Sequence, residues 1–309
     1  MSTLAPDADP LLARPNADRL AYATGMLLDA QDFSDEQTYH RGRLARALAF
    51  LAGPGTLAGL RVEHVPGSAG QVEEIRVQPG LAVDRLGRLI ELPRPACLRL
   101  PRWFEALAAA GDGSALVQAS YDAPAGFVSQ RFADAGTALP ARALVADVFL
   151  RFVACPRGLT PSFAQGPFDA LNAVSIARLR DAYELQLIAR PGLDDGYDGL
   201  PLPPGAAALG NPGATAQERR DALQDAVLLG WSASGHAGND VGGGEDGGLE
   251  PAPEHPAELA DHSAVFLARV LLPVDGATPP ARTDALPLVD NWGRRFLPPA
   301  SLFAQWAGA

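Results

Sequence analysis

Apolar side chains recur at steps of three and four just before residue 52 and at steps of two in the short segments that follow, so helix gives way to strand there. Ser34 and Gln37 have capping-box spacing, which predicts a helix over 34–51 that buries Leu44, Ala47, Leu48 and Leu51. Gly53-Pro54-Gly55 cannot continue it. His40, one turn earlier on the same stripe, is expected to be a hydrogen-bonded packing residue. Period-two patterning over 60–65, 74–77, 81–83 and 89–92, with turns at Pro66-Gly67, Pro79-Gly80 and Leu86-Gly87, predicts a β-meander. A short helix over 101–110 should face Trp103 and Leu107 inward and end at Gly111-Asp112-Gly113.

Further along, strands are expected over 114–121 and 144–154, separated by a long connection over 122–140. The stretch 176–190 suits a helix at its start and a strand at its end. From 191 to 256 the chain is rich in Gly, Pro, Asp and Ala. One helix is expected there over 216–229, with Leu223, Val227 and Trp231 on one side, and a flexible surface tract over 235–248. A strand over 264–273 and a closing segment over 290–303 return to the core, and no internal repeat appears. The pattern predicts an α+β fold: a polar, Pro-rich arm over 1–19, a helix plus β-meander domain over 20–113, and a β-rich domain over 114–309 with a flexible insertion at about 191–256.

Composition adds limits. The chain has 309 residues, 47% of them hydrophobic, enough for two cores, and no apolar run approaches the ~18 residues of a bilayer span. The first 19 residues lack the basic-then-apolar pattern of a Sec-type signal, and only Cys97 and Cys155 occur, so a reduced, cytoplasmic setting is expected. A net charge of −11 disfavours nucleic acid and membrane as partners. All 25 basic residues are arginine; codon usage in a GC-rich bacterial genome accounts for this, as does selection of guanidinium at interfaces.

The candidate chemistry is thin. His40, His64, His236, His255 and His262 make no His-x-x-x-His or His-Glu-x-x-His pattern, so no metal site is expected, although His255 and His262 flank Glu258 and Asp261. Gly242, Gly244 and Gly247 match the dinucleotide pattern inside a glycine tract with Glu245 and Asp246, whose charges repel a pyrophosphate. Gly230-Trp231-Ser232 begins like a nucleophile elbow, but Ser234 stands where the second glycine belongs. Asp194, Asp195 and Asp198 with Gly196 and Gly199 resemble part of a calcium loop, yet Gly205 replaces the closing acid. No catalytic, cofactor-binding or metal-ligating residue is assigned. Cys97 and Cys155 are expected to be buried, inert thiols.

Several segments together resemble a known family. Tyr22-Ala23-Thr24-Gly25-Met26-Leu27-Leu28-Asp29-Ala30-Gln31-Asp32-Phe33, then Glu36-Gln37-x-Tyr39-His40 and Gly59-Leu60-Arg61-Val62, resemble the opening of a family of bacterial proteins found with contractile, phage-tail-like injection systems. The run from Val77-Gln78-Pro79-Gly80 to Asp84-Arg85-Leu86-Gly87-Arg88 and the closing Val289-Asp290-Asn291-Trp292-Gly293-Arg294-Arg295 resemble further parts of it. Gly53-Pro54-Gly55-Thr56-Leu57 departs from the family, which more usually has an aromatic or His-Gly turn there.

The resemblance implies a non-catalytic structural piece of the particle, near its baseplate or cap, partnered by other particle proteins, assembled in the cytoplasm and then released or docked at a membrane. Two rivals have their own signatures. A hydrolase needs His64 or His262 beside a Ser or Cys and a carboxylate. A tail-fibre-type carbohydrate- or protein-binding module needs Trp103, Trp231, Trp292 or Trp306 clustered on a groove.

Overall fold

The first helix, α1 (Ala30–Leu51), begins four residues before the expected cap, because an acid pair caps it more completely. Asp29 accepts from the backbone amides of Gln31 and Asp32 at 2.8 and 3.1 Å, and the Asp32 carboxylate accepts from the Asp29 amide at 2.9 Å. Its inward face also differs from expectation. Gly42 and Ala45 are buried, whereas Leu44 and Leu51 are exposed, Leu51 by 88%. The helix backbone meets the rest of the chain at Ala45, whose carbonyl lies against Gly87 in a tight turn, and the long side chains stay outside. Gly53 ends the helix in the left-handed conformation, its amide donating to Leu48 O and Ala49 O.

A computed structural model of the chain describes residues 11, 18–161, 174–194, 196–201, 213–233 and 249–306. After α1 come β1 (Gly55–Gly59), β2 (Val62–Val65), β3 (Glu74–Val77), β4 (Gly80–Val83), β5 (Leu89–Leu92) and β6 (Ala96–Arg99). They form two antiparallel three-stranded sheets, in the orders β1-β4-β5 and β2-β3-β6. Four of these strands fall where alternation places them. The sequence pattern does not predict β1 or β6: β1 carries no clear alternation, and the alternation of β6, with Ala96 and Leu98 toward the core, is masked in the sequence by the apolar Cys97. Helix α2 (Leu100–Ala109) packs Trp103 and Leu107 against the core as expected, with the Trp103 indole N–H donating to Leu187 O at 2.6 Å.

The expected strand over 114–121 is instead a helix, α3 (Ser114–Gln118), followed by the short β7 (Ser120–Asp122). Gly113, at φ 81°, turns the chain so that a new helical turn starts at Ser114. The connection after β7 contains a 3-10 turn at Pro124–Phe127 and helix α4 (Gln130–Asp134), capped by Ser129. Then come β8 (Arg142–Pro161), β9 (Val174–Ala189), α5 (Ala216–Ala233), β10 (Val265–Pro273), β11 (Leu288–Asp290) and α6 (Ala300–Trp306). The start of the ambiguous stretch is therefore strand throughout. Helix α5 is capped by reciprocal Thr215 and Glu218 bonds, and its Leu223 and Val227 are exposed. The tract over 235–248 lies outside the described residues, as does most of 1–19.

The central sheet is antiparallel in the order β11-β10-β8, with β7 and β9 sharing the other edge of β8. The first half of β8 and all of β10 are near-continuous apolar runs, as strands covered on both faces must be. One face carries Leu144, Ala146, Val148 and Leu150 into a single apolar cluster with Leu60, Ile75 and Leu100 of the 20–113 segment. The other face, with Val145 and Phe149, is covered by loops through Phe127, Leu193, Leu200 and Leu259. The fold is α+β with antiparallel sheets. Among the described residues no helix is long and apolar enough to cross a membrane.

Candidate functional site

Loops leave backbone carbonyls that need donors, and the loop-covered face of the sheet supplies them from two buried arginines. Asp147 on β8 stands opposite Arg269 on β10, whose Nε and Nη2 donate to the two carboxylate oxygens at 2.8 and 2.9 Å. Arg269 Nη1 also donates to Phe127 O at 2.7 Å and Asp198 O at 2.5 Å. Burial opposes the Arg269 cation, but the charge and hydrogen bonds of Asp147 outweigh it and raise its pKa. Arg190 Nε lies 3.2 Å from Asp147, near enough for attraction but out of line for a hydrogen bond, while Nη1 donates to Glu254 O at 2.8 Å. Arg190 Nε apart, the donors of both arginines are spent on Asp147 and on loop carbonyls.

A second buried cluster lies beneath the β4–β5 turn. Asp84 accepts from the Leu86 and Arg88 amides at 2.9 and 2.8 Å and from Arg88 Nε at 2.6 Å. Full burial pushes its pKa up to about 6 against the pull of Arg88. Arg88 Nη2 donates to Ser263 Oγ at 2.7 Å, and Ser263 Oγ donates to Asp261 at 2.5 Å. His255 stacks on His262 with ring centroids 5.9 Å apart. The Ala252 amide donates to His255 Nδ1 at 3.1 Å, so the proton sits on Nε2, which donates to Ala264 O at 3.0 Å. Burial lowers the His255 pKa to about 4, keeping the ring neutral. His262 Nδ1 donates to Leu249 O at 2.9 Å.

The remaining candidates separate. His64 Nε2 lies 2.8 Å from Glu73, which Arg282 grips with both arms of its guanidinium at 2.6 and 2.8 Å. That grip holds the Glu73 carboxyl below its usual range. His40 is exposed, with its ring edge-on to Tyr39, and is not the packing residue expected, because α1 turns a different side inward. His236, Asp195, Gly242, Gly244, Gly247 and Ser234 lie outside the described residues. Gly230 and Ser232 belong to the last turns of α5, so the strand-to-helix turn of an elbow is not formed there.

The Asp194 and Asp198 carboxylates cap the Gly196 and Leu200 amides, as turn residues do. Cys97 and Cys155 are free; Cys155 is half-buried, and Cys97 is exposed rather than buried, because alternation along β6 turns Ala96 and Leu98 to the core and Cys97 to the outer face. Among the described residues no histidine hydrogen-bonds a serine or a thiol, and no group of three His, Cys, Asp or Glu side chains could hold a metal. Trp103 packs against the core, while Trp292 is 41% exposed beneath the Arg131 guanidinium at 3.6 Å. The Trp231 and Trp306 side chains lie outside the described residues.

Three of the segments that carry the family resemblance meet. Asn291 pairs with Val62 like a neighbouring strand, its Oδ1 accepting from Val62 N at 2.8 Å and its Nδ2 donating to Val62 O at 2.9 Å. Arg294 Nη1 donates to Leu60 O at 2.8 Å; burial lowers its pKa to about 10. Leu60 N donates to Pro79 O, and Gln78 N to Arg61 O. The departing stretch after α1 joins this junction, with Thr56 N donating to Arg295 O at 2.9 Å.

The opening segment behaves differently. Tyr22, Met26, Leu27, Leu28 and Phe33 are all exposed, Leu27 by 95%, and the Tyr22 hydroxyl is held by Glu36, which raises its pKa. A second surface is the outer half of the β8–β9 ribbon, where Leu159, Ile176 and Leu179 are exposed among arginines. Sequence reasoning missed both surfaces, because period alone cannot tell an apolar side chain that faces the core from one that faces solvent. No protein-family model matches the chain, and no curated protein matches it.

Proposed function

We propose that the chain is a non-catalytic structural component of a contractile, phage-tail-like injection particle, seated near its baseplate or cap and held there by its outer surfaces. The observation that carries this reading is the exposure of Leu27 and its apolar neighbours in the segment that most resembles the particle family. Tyr22, Met26, Leu27, Leu28 and Phe33 leave large apolar side chains in water within one short segment, the kind of surface that another protein covers. The charged clusters are consistent with scaffold chemistry, since, Arg190 Nε apart, their guanidinium donors are occupied by carboxylates, by Ser263 and by loop carbonyls. In this reading 20–113 is the attachment unit, 114–309 is the β-rich unit with its insertion at about 191–256, and assembly is cytoplasmic.

The test is purification of the tagged full chain from its bacterial host under mild conditions, with mass spectrometry and negative-stain microscopy of the eluate. Co-elution of sheath, tube or baseplate proteins in tail-like particles is the expected result. Recovery of a lone monomer overturns the proposal.

A further inference from the structure

β8 and β9 remain paired well past the point where β10 ends. β10 covers β8 only from Ala143 to Leu150, whereas β9 follows it in unbroken register to the Pro161 and Val174 pair. Directly opposed residues of antiparallel strands point to the same side. One side of the outer ribbon therefore carries Leu159 with Ile176, then Arg157 with Arg178, then Cys155 with Arg180. The other side carries Thr160 with Ser175, Pro156 with Leu179, and Ala154 with Asp181.

Arg157 and Arg178 thus face one another as like charges on an exposed ribbon, an arrangement that weakens the pairing. Among the described residues no ion pair reaches Arg157, Arg178 or Arg180. Three cations on one side, with two exposed aliphatic side chains at their outer end, stand in a chain whose net charge is −11.

We propose that this side of the ribbon docks an acidic protein segment in which an apolar side chain is followed, at two-residue steps, by two carboxylates. The apolar residue covers Leu159 and Ile176, and the carboxylates enter between Arg157 and Arg178 and beside Arg180. Steps of two along an extended chain advance roughly 6.6 Å, the spacing at which the ribbon presents these pairs. Guanidinium binds carboxylate through two parallel hydrogen bonds, and a carboxylate between Arg157 and Arg178 removes their repulsion. A nucleic-acid duplex fits less well, because the acidic body repels it and its phosphates give Leu159 and Ile176 no apolar contact. The proposal stands on the ribbon's own residues and does not require the particle.

The experiment is fluorescence anisotropy of the full chain with a labelled peptide carrying Leu, Glu and Glu at alternate positions, with serines between. The same peptide with Gln for Glu and a short DNA duplex serve as competitors. The acidic peptide should bind in a salt-dependent way, at least about tenfold more tightly than its Gln counterpart. R157E sets a carboxylate opposite Arg178, so it should keep or raise the melting temperature while weakening the peptide, and R157E/R180E should abolish binding. Equal binding of the Glu and Gln peptides, binding of neither, or tighter binding of the duplex overturns the proposal. Peptide binding by a chain that purifies as a monomer would leave the ribbon assignment standing and the particle reading refuted.

Discussion

Arg269 binds both oxygens of Asp147 from the neighbouring strand, and neither side chain reaches solvent. The pair sits in strands that are otherwise apolar, and its second guanidinium arm ties down the carbonyls of Phe127 and Asp198. Removing the carboxylate strands two buried arginines. D147A should therefore cost about 3–5 kcal/mol in urea unfolding. D147L/R269M, which removes the bidentate pair together, should cost less than the sum of its single substitutions. Additive losses would mean that the two residues act independently.

Gly87 allows α1 to dock. It has φ 81°, and a Cβ there would lie 1.8 Å from Ala45 O, inside the helix backbone. G87A should lower stability by about 1–3 kcal/mol through strain and displacement of the helix. Hydrogen exchange should then quicken in α1 before it does in β8 and β10. Uniform quickening would mean that the helix is not held through this contact.

Acid acts on two buried groups with opposite sign. His255 has a folded pKa of about 4 against 6.5 for the free side chain, so the unfolded chain takes up its proton first. Its contribution, about 3 kcal/mol, is complete above pH 6.5 and lost as pH falls to 4. Asp84 titrates near 6 when folded against 3.8 when free, so the cost of its buried charge is relieved as pH falls from 6 to 3.8. Melting temperature should fall more steeply between pH 6.5 and 4 in D84N than in the natural chain, and less steeply in H255Q. Parallel curves for all three would show that neither ionisation is linked to folding.

The exposed entry to α1 should be dispensable for the fold. L27D should shift stability by no more than about 0.5 kcal/mol, as surface changes do, yet should abolish co-elution with particle proteins. A large fall in melting temperature would place Leu27 in a core contact.

Local patterning shows much of this in the sequence. Alternation locates four of the six strands before α2, and Trp103 and Leu107 identify the inner side of that helix correctly. It fails where the decisive partner is distant. Leucine periodicity points inward on α1, but the helix is buried at Gly42 and Ala45, and Ala45 meets Gly87 more than forty positions along the chain. The Asp147–Arg269 pair left a trace as lone charges in apolar runs, though which charge met which depended on strand register. The ribbon left less, since Arg157 and Arg178 become opposed only once β8 and β9 pair.

β8 runs as one strand from beneath the loops to its exposed end at Pro161. Its last residues, from Ala154 to Pro161, span roughly 25 Å. A pull at that end along the strand axis loads the bonds to β10 in shear, many at once, instead of peeling them one by one. The same pull bears on Asp147 and hence on the loops fastened by Arg269 and Arg190. The ribbon is mechanically a handle continuous with the beam it moves, and Gly158, at φ 69°, is the one left-handed residue of β8 along which that displacement must pass.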